Sequence, residues 1–336
     1  MNMTISSVAD LRARLSDLPG PDVAAQAAWA ARDPQLTKPG GALGRLEEIS
    51  AWMAAWQGRH PPRLETPRAR VFAGNHGVAA LGVSAFPAEV TVQMVMNFER
   101  GGAAINQLCK AFGTELQVVA LDLDTPTADF TQGPAMTEAE FVAAVNAGMA
   151  SVPADTDLLA IGEMGIGNTT PAAAIPCALF GGDAGEWTGR GTGVEGSALS
   201  RKTEVVAQGV ARHAGQSGLD ILRCLGGREL AAMAGAVLAA RLLRVPVLLD
   251  GYVCTAAAAA LHAECAGALD HCLVAHASAE PGHRRLIERL GKAPLLDLGM
   301  RLGEASGAAL AVGLVRAAVA CHNGMATFGE AGVSEG

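Results

Sequence analysis

The fold of this chain is decided at residues 158–175, which read Leu158-Leu159-Ala160-Ile161-Gly162-Glu163-Met164-Gly165-Ile166-Gly167-Asn168-Thr169-Thr170-Pro171-Ala172-Ala173-Ala174-Ile175. The apolar run before Gly162 predicts a buried strand, and the alanine-rich run after Pro171 predicts a helix capped by Thr170. Three glycines between them allow positive φ angles and close approach to the backbone. We therefore predict a strand-to-helix turn whose N–H groups bind a phosphate.

Glu163 lies in this same turn. A carboxylate beside a phosphate would repel it unless the carboxylate serves another part of the same ligand. The turn therefore predicts a ligand with an anionic end and a hydroxyl-rich or cationic part, such as a nucleotide.

Short apolar runs alternate with helical segments on both sides of this turn. This alternation predicts a doubly wound, mainly parallel, six-stranded Rossmann-like α/β sheet. Ligands of such sheets bind beyond the carboxyl ends of the strands, so we expect the site among the turns that follow them. The predicted strands are residues 71–73, 116–123, 158–161, 245–249, 272–275 and 295–298.

Residues 4–57 are predicted to be helical, with a break at residues 38–41 and a linker at residues 60–67. The apolar run at residues 305–321 contains Arg316 and is short for a membrane span, so we expect a core helix there. The first residues lack the basic and apolar regions of a signal peptide.

Composition favours a protein that binds small molecules. The 336 residues include 41 glycines, half are hydrophobic, and the net charge is -8. An acidic chain without a Lys/Arg cluster argues against a nucleic-acid partner. The seven cysteines are dispersed, with no Cys-x-x-Cys pair. They predict reduced, mostly buried thiols in a cytoplasmic protein.

Residues 191–196 match the Gly-x-Gly-x-x-Gly pattern of dinucleotide-binding proteins. No predicted strand precedes them, which favours a mobile loop before a helix near Ser200 over a nicotinamide-dependent oxidoreductase. Lys202, in that helix, could still reach a phosphate or could be a solvated charge. The oxidoreductase therefore stays an alternative.

Two further residue types could carry chemistry. His76 follows a predicted strand and could be a general base, a metal ligand or a structural cap, but the histidines lack the spacing of metal ligands. Glu304 follows the last predicted strand at the start of an apolar helix. It could stabilise the helix dipole, or it could act as a general base with its pKa raised by apolar surroundings.

Six groups of residues occur together in one known family, and they extend in order from about residue 38 to residue 334. They are residues 38–40 with 43–47, 74–78, 162–174, 248–251, 278–280, and 300–304 with 306–309. In these residues the chain resembles the nicotinate-nucleotide:dimethylbenzimidazole phosphoribosyltransferases of cobalamin lower-ligand assembly.

The resemblance implies transfer of a phosphoribosyl group from nicotinate mononucleotide to 5,6-dimethylbenzimidazole, without a metal or cofactor. It implies that Glu304 is the general base and Glu163 a second catalytic carboxylate. The implied phosphate and ribose contacts are Gly165, Ile166, Gly167, Asn168, Thr169, Lys202 and Asp250. The implied contacts to the aromatic base are His76, Phe86, Met94 and Leu302.

The chain departs from the family pattern at Phe86 and Met94, where the family has a Ser and a Gln. Both would suit a flat apolar ring, but they leave open which base or phenol is the acceptor. Glu330 is a rival general base, and a nucleotide sensor without catalysis is a further alternative.

The resemblance also implies two domains and a homodimer that closes the active site. The expected domains are an α/β domain at residues 68–304 and a small helical domain made of residues 1–60 and 305–336. Neither a nucleic acid nor a membrane is expected as a partner.

Overall fold

The computed structural model describes residues 3–334 and has a six-stranded parallel sheet at its centre. The strands are β1 (Pro67–Ala73), β2 (Glu115–Ala120), β3 (Leu158–Met164), β4 (Val247–Leu249), β5 (Cys272–His276) and β6 (Pro294–Leu296). Their order is β2-β1-β3-β4-β5-β6, and every neighbouring pair is parallel. The predicted six-stranded α/β fold is confirmed.

Helices occupy most of the connections. They are α1 (Val8–Leu15), α2 (Val23–Arg32), α3 (Arg45–Gln57), α4 (Glu89–Glu99), α5 (Ala104–Ala111), α6 (Glu138–Ala150), α7 (Thr169–Phe180), α8 (Ala184–Trp187), α9 (Gly196–Arg212), α10 (Gly218–Leu225), α11 (Arg228–Leu242), α12 (Tyr252–Glu264), α13 (Pro281–Arg289), α14 (Ser306–Gly324) and α15 (Phe328–Ala331). Short 3-10 helices lie at Asp33–Gln35, Gly77–Leu81 and Ala266–Leu269.

The sheet is covered on both faces. Leu159 and Ile161 of β3 pack into one apolar cluster with α7, α11 and α12, whereas Leu158 and Ala160 pack into a second cluster with α14. Successive side chains of a strand point to opposite faces. A strand that is buried on both faces therefore reads as the continuous apolar run seen in the sequence.

The helices at the two chain ends join these same clusters. Helix α1 packs into the first cluster, while α3 and α14 pack into the second. The division into residues 68–304 and residues 1–60 plus 305–336 stays a prediction, and the apolar core continues across it.

The apolar run at residues 305–321 forms most of α14, whose inner side is buried. Within residues 3–334, no helix is long and apolar enough to cross a membrane. All seven cysteines are free, and five of them are buried.

The strand order places a crevice at one position. From β1 the chain first adds β2 on one side and then β3 on the other, so the connections leave in opposite directions. Such a reversal opens a crevice beyond the carboxyl ends of the two strands, where ligands of this fold class bind. The quoted turn after β3 lies at this crevice.

Candidate active site

A cavity of about 470 Å³ lies beyond the carboxyl ends of the strands. Its walls come from the turns after β3, β4, β5 and β6 and from two loops, around residues 86 and 191. The lining residues are Phe86, Glu163, Met164, Gly165, Ile166, Asn168, Thr169, Gly191, Thr192, Gly251, Tyr252, Val253, His276, Ser278, Glu280, Arg301, Leu302 and Gly303.

The turn after β3 differs from the predicted phosphate cradle in two respects. Helix α7 already begins at Thr169, so the prediction that Thr170 caps it is wrong, and Asn168 holds the cap position. The Ile166 N–H donates to Thr91 Oγ1 at 3.1 Å. That amide is therefore engaged inside the protein, although Ile166 still lines the cavity.

Glu163 is a buried carboxyl at the end of β3. The Asn168 side-chain amide donates to its Oε2, and its Oε1 packs so closely on Gly303 that a side chain there would overlap it. Burial raises the pKa of Glu163 to about 8 against the effect of the Asn168 bond, and the carboxyls of Glu229, Asp250 and Glu304 raise it further. A proton and a cation can therefore compete for this position at neutral pH.

Glu304 lies in the turn between β6 and α14. Its N–H donates to the Glu163 backbone oxygen at 3.2 Å, which ties this turn to the end of β3. A side chain on Gly162 would overlap the backbone of Ala305, so the two turns interlock. Burial raises the pKa of Glu304 to about 7, which suits a general base near neutral pH.

Asp250 is a third buried carboxyl, at the end of β4. Its Oδ1 accepts from the Ala308 N–H at 2.8 Å, at the start of α14. Burial raises its pKa to about 7 despite that bond. Three buried carboxyl groups thus follow three strands. Each has a pKa raised to about 7 or 8, which is near physiological pH.

Two cationic side chains, Lys202 and Arg301, bind the loop around residue 191. Lys202 is fully buried, and its Nζ donates to Thr169 Oγ1 at 2.7 Å and to the Gly189 carbonyl at 3.0 Å. Burial lowers its pKa to about 8, opposed by Glu280. Arg301 lines the cavity and donates to the Gly191 carbonyl at 3.0 Å.

The Gly-x-Gly-x-x-Gly segment forms the loop held by these two cations. It connects α8 to α9, with positive φ at Gly191, Gly193 and Gly196, and no strand precedes it. This matches the predicted loop rather than a dinucleotide fingerprint. Helix α9 begins at Gly196, four residues before the predicted start.

The structure brings about half of the predicted site residues to the cavity surface. These are Glu163, Gly165, Ile166, Asn168, Thr169, Phe86 and Leu302. The remaining predicted residues do not line the cavity, namely Glu304, Gly167, Lys202, Asp250, His76 and Met94. His76 lies behind the wall, with its Nε2 at 2.5 Å from Glu229 Oε1, and is not placed to contact a base directly.

Sequence reasoning gave no role to Arg301, Ser278 or Glu280, which also line the cavity. All three lie in turns that follow β5 and β6, so the rule that ligands bind at the carboxyl ends of strands could have selected them. No group of three or more His, Cys, Asp or Glu side chains within residues 3–334 is arranged to hold a metal ion.

Comparisons of the sequence and of the structure with known proteins point to the same family. A profile of the family described as Phosphoribosyltransferase matches residues 18–333. A nicotinate-nucleotide--dimethylbenzimidazole phosphoribosyltransferase of Ruegeria pomeroyi is 64% identical, with 99% of each chain covered. One of the same name from Mesorhizobium japonicum is 61% identical, with 99% of this chain and 100% of the relative covered. The crystal structure of CobT from Thermus thermophilus is 45% identical with a TM-score of 0.87, covering 93% of this chain and 100% of that one.

Proposed function

The chain belongs to the nicotinate-nucleotide--dimethylbenzimidazole phosphoribosyltransferase family and is a pentosyltransferase of cobalamin biosynthesis, and we propose that it transfers phosphoribose from nicotinate mononucleotide to 5,6-dimethylbenzimidazole. The products are nicotinate and α-ribazole 5′-phosphate. The proposal includes Glu304 as the general base and no metal or cofactor.

The observation that most supports this donor is the presence of both a carboxyl group and cations at one cavity. Glu163 lines the cavity, and Lys202 and Arg301 bind the carbonyls of Gly189 and Gly191 in the loop that forms part of its wall. Nicotinate mononucleotide has a cationic pyridinium at one end and a phosphate at the other. In our proposed orientation, the pyridinium lies near Glu163 and the phosphate lies near the two cations.

The reaction follows from this orientation. A ring nitrogen of the benzimidazole attacks C1′ of the ribose while the bond from C1′ to the pyridinium nitrogen breaks. The bonding electron pair returns to the pyridine ring, which leaves without a charge on its nitrogen. The N–H proton of the benzimidazole passes to the Glu304 carboxylate, and ionised Glu163 stabilises positive charge developing at C1′.

The apolar part of the wall would hold the acceptor ring. Phe86 and Leu302 line the cavity while about half of each side chain remains exposed. Such a surface gains free energy when a flat ring covers it. In our proposal the closed site also includes a second copy of the chain, as a homodimer, in the cytoplasm.

The test is incubation of metal-stripped protein with nicotinate mononucleotide and 5,6-dimethylbenzimidazole, followed by mass spectrometry of the products. We expect nicotinate and α-ribazole phosphate in equal amounts, with no effect of EDTA. Nicotinate release only with adenine or a phenol would reassign the acceptor, and strong inhibition by EDTA would refute the metal-free reaction. Nucleotide binding without turnover for any acceptor would favour a sensor.

A further inference from the structure

A buried pair of ionisable residues, His76 and Glu229, lies behind the turn that carries Glu163. His76 follows β1, and Glu229 lies in the first turn of α11. Their side chains are fully buried, with His76 Nε2 at 2.5 Å from Glu229 Oε1. The start of a helix favours a carboxylate at the position of Glu229.

Three glycines make the space for this pair. A Cβ on Gly74 would lie 2.5 Å from Glu229 Oε2, and one on Gly227 would lie 2.7 Å from the same atom. A Cβ on Gly165 would lie 3.2 Å from Glu229 Oε1. These glycines come from three different segments of the chain. An alanine at any of the three positions would require the Glu229 carboxyl group or its neighbours to move.

The pair is not explained by stability alone. His76 Nδ1 and Glu229 Oε2 are buried and have no hydrogen-bond partner. An unsatisfied buried polar atom costs about 1–3 kcal/mol. Such atoms need an explanation beyond packing, and a role in a nearby site is one explanation.

Glu229 lies against Gly165, in the same turn as Asn168. Asn168 Nδ2 and Glu229 Oε1 each lie 3.2 Å from the point where a side chain on Gly165 would begin. The same Asn168 Nδ2 donates to Glu163 Oε2. The amide of Asn168 therefore lies near two carboxyl groups, one on the cavity wall and one behind it.

We propose that Glu229, held in place by His76, is a positioning residue of the phosphoribosyl transfer that packs against the turn of Gly165 and Asn168 and adds a negative charge behind Glu163. The inference rests on the proposed function, because it assigns Glu163 to the stabilisation of C1′. His76 then acts through Glu229 and does not contact the acceptor base.

The charges around Glu163 determine the expected direction of each effect. Asp250 faces Glu163 from the turn after β4, Glu304 from the turn after β6, and Glu229 from α11, and all three raise the pKa of Glu163. Glu229→Gln keeps the shape but removes one negative charge. Glu163 should then ionise more readily, and the acid limb of the pH–rate profile should move about 0.5–1 pH unit lower.

His76→Leu should act in the same direction. Without His76, the buried Glu229 carboxyl loses its hydrogen-bond partner, and burial without that bond disfavours the charged form. Less negative charge then faces Glu163, and the acid limb should again move to lower pH. A loss of packing alone would not lower the acid limb in both variants.

The experiment measures kcat and KM for nicotinate mononucleotide from pH 6.5 to pH 9 in the wild type and both variants. The matched controls are Glu264→Gln, which removes a carboxylate paired with Arg12 far from the cavity, and His213→Leu, which removes a ring bonded to the Phe130 carbonyl. Circular dichroism establishes that each protein is folded, and either folded variant suffices for the test. Calorimetry of donor binding near pH 7 adds a second readout: proton release should decrease in Glu229→Gln because more Glu163 is already ionised.

A shift of the acid limb to lower pH in each folded variant, with neither control shifted, would support the inference. An acid limb and proton release identical to those of the wild type in a folded variant would overturn it. If the wild type itself makes no α-ribazole phosphate, the proposed function fails. If the wild type turns over while Glu229→Gln keeps its acid limb, only the positioning role fails.

Discussion

Glu304 has an unusual backbone as well as a perturbed carboxyl. Gly303, Glu304 and Ala305 have φ of +82°, +61° and +60° in succession. A residue with a Cβ in this region costs on the order of 1 kcal/mol. Since the interlock with Gly162 holds the turn in place, the strain is offset by packing, and the carboxyl keeps a fixed direction at the end of the sheet.

The first prediction concerns Glu304 as the base. Glu304→Gln should lower kcat by on the order of 10²-fold or more, because the amide cannot accept the benzimidazole proton. Donor affinity should change little. Glu330→Gln is the matched control, since Glu330 is an exposed residue of α15 that caps its own helix. Steady-state kinetics measure kcat, and titration with nicotinate mononucleotide measures donor affinity. If only Glu330→Gln lowered kcat, Glu330 rather than Glu304 would be the general base.

The second prediction is the pH dependence of turnover. Burial raises the pKa of Glu304 to about 7 and that of Glu163 to about 8. Both must be ionised in the proposed reaction, so kcat/KM should rise with pH through this range and level off above it. The acid limb belongs to the coupled pair rather than to either residue. A profile that is flat between pH 6.5 and pH 8.5 would contradict these assignments.

At the scale of elements, the site depends on how β3 meets the turn after β6. A side chain on Gly162 would overlap the backbone of Ala305. Gly162→Ala should therefore displace Glu304 and lower both stability, by about 1–3 kcal/mol, and kcat. Gly133→Ala is the control, because nothing lies within 4 Å of its Cβ position and its φ is not positive. Urea unfolding and turnover of both variants test the prediction, and equal behaviour would disprove the interlock.

The elements were predictable where one local signal was sufficient. Strand β3 was correctly predicted because a strand buried on both faces gives a continuous apolar run. The start of α7 was missed because Thr170 has the chemistry of a cap, while the Asn168 side chain, although at the cap position, bonds to Glu163 instead. The tertiary contacts that determine where α7 begins cannot be predicted from the local sequence.

The residues of the candidate site, like the elements, were predictable only where a local segment contained the signal. Glu163 and Asn168 lie in one unusual segment, so their proximity could be inferred from the chain itself. Glu229 could not be found in this way, because it lies in a helix whose other residues are largely buried and apolar. Only the packing of β1, β3 and α11 around three glycines brings it near Asn168.

At the scale of the whole molecule, the buried titratable groups form two sets with opposite effects on stability. Burial is the main cause that lowers the pKa of His271 and His283 to about 3 and that of His322 to about 4. The unfolded chain therefore binds more protons than the folded chain below about pH 6.5. Stability from these histidines rises with pH up to that value.

The carboxyls of the site act in the opposite direction. The folded pKa values of Glu163, Asp250 and Glu304 lie at about 8, 7 and 7, above their usual values. The folded chain therefore keeps protons that the unfolded chain has lost, and their contribution to stability falls from about pH 4 upward until each group ionises in the folded state. Below about pH 6.5 the two sets offset each other. Between pH 6.5 and pH 8.5 the three carboxyls have the larger effect, and only the lowered pKa of Lys202, at about 8, opposes them among the groups named above.

The fourth prediction follows from this balance. The free energy of unfolding should decrease between pH 6.5 and pH 8.5, by on the order of a few kcal/mol. Glu163→Gln should reduce the decrease, because its amide does not titrate. Urea unfolding at the two pH values measures both effects, and a stability that stays constant or increases would contradict the carboxyl assignments. The ionised state needed for the reaction is thus the less stable one, and a bound pyridinium cation should stabilise the protein more at pH 8.5 than at pH 6.5.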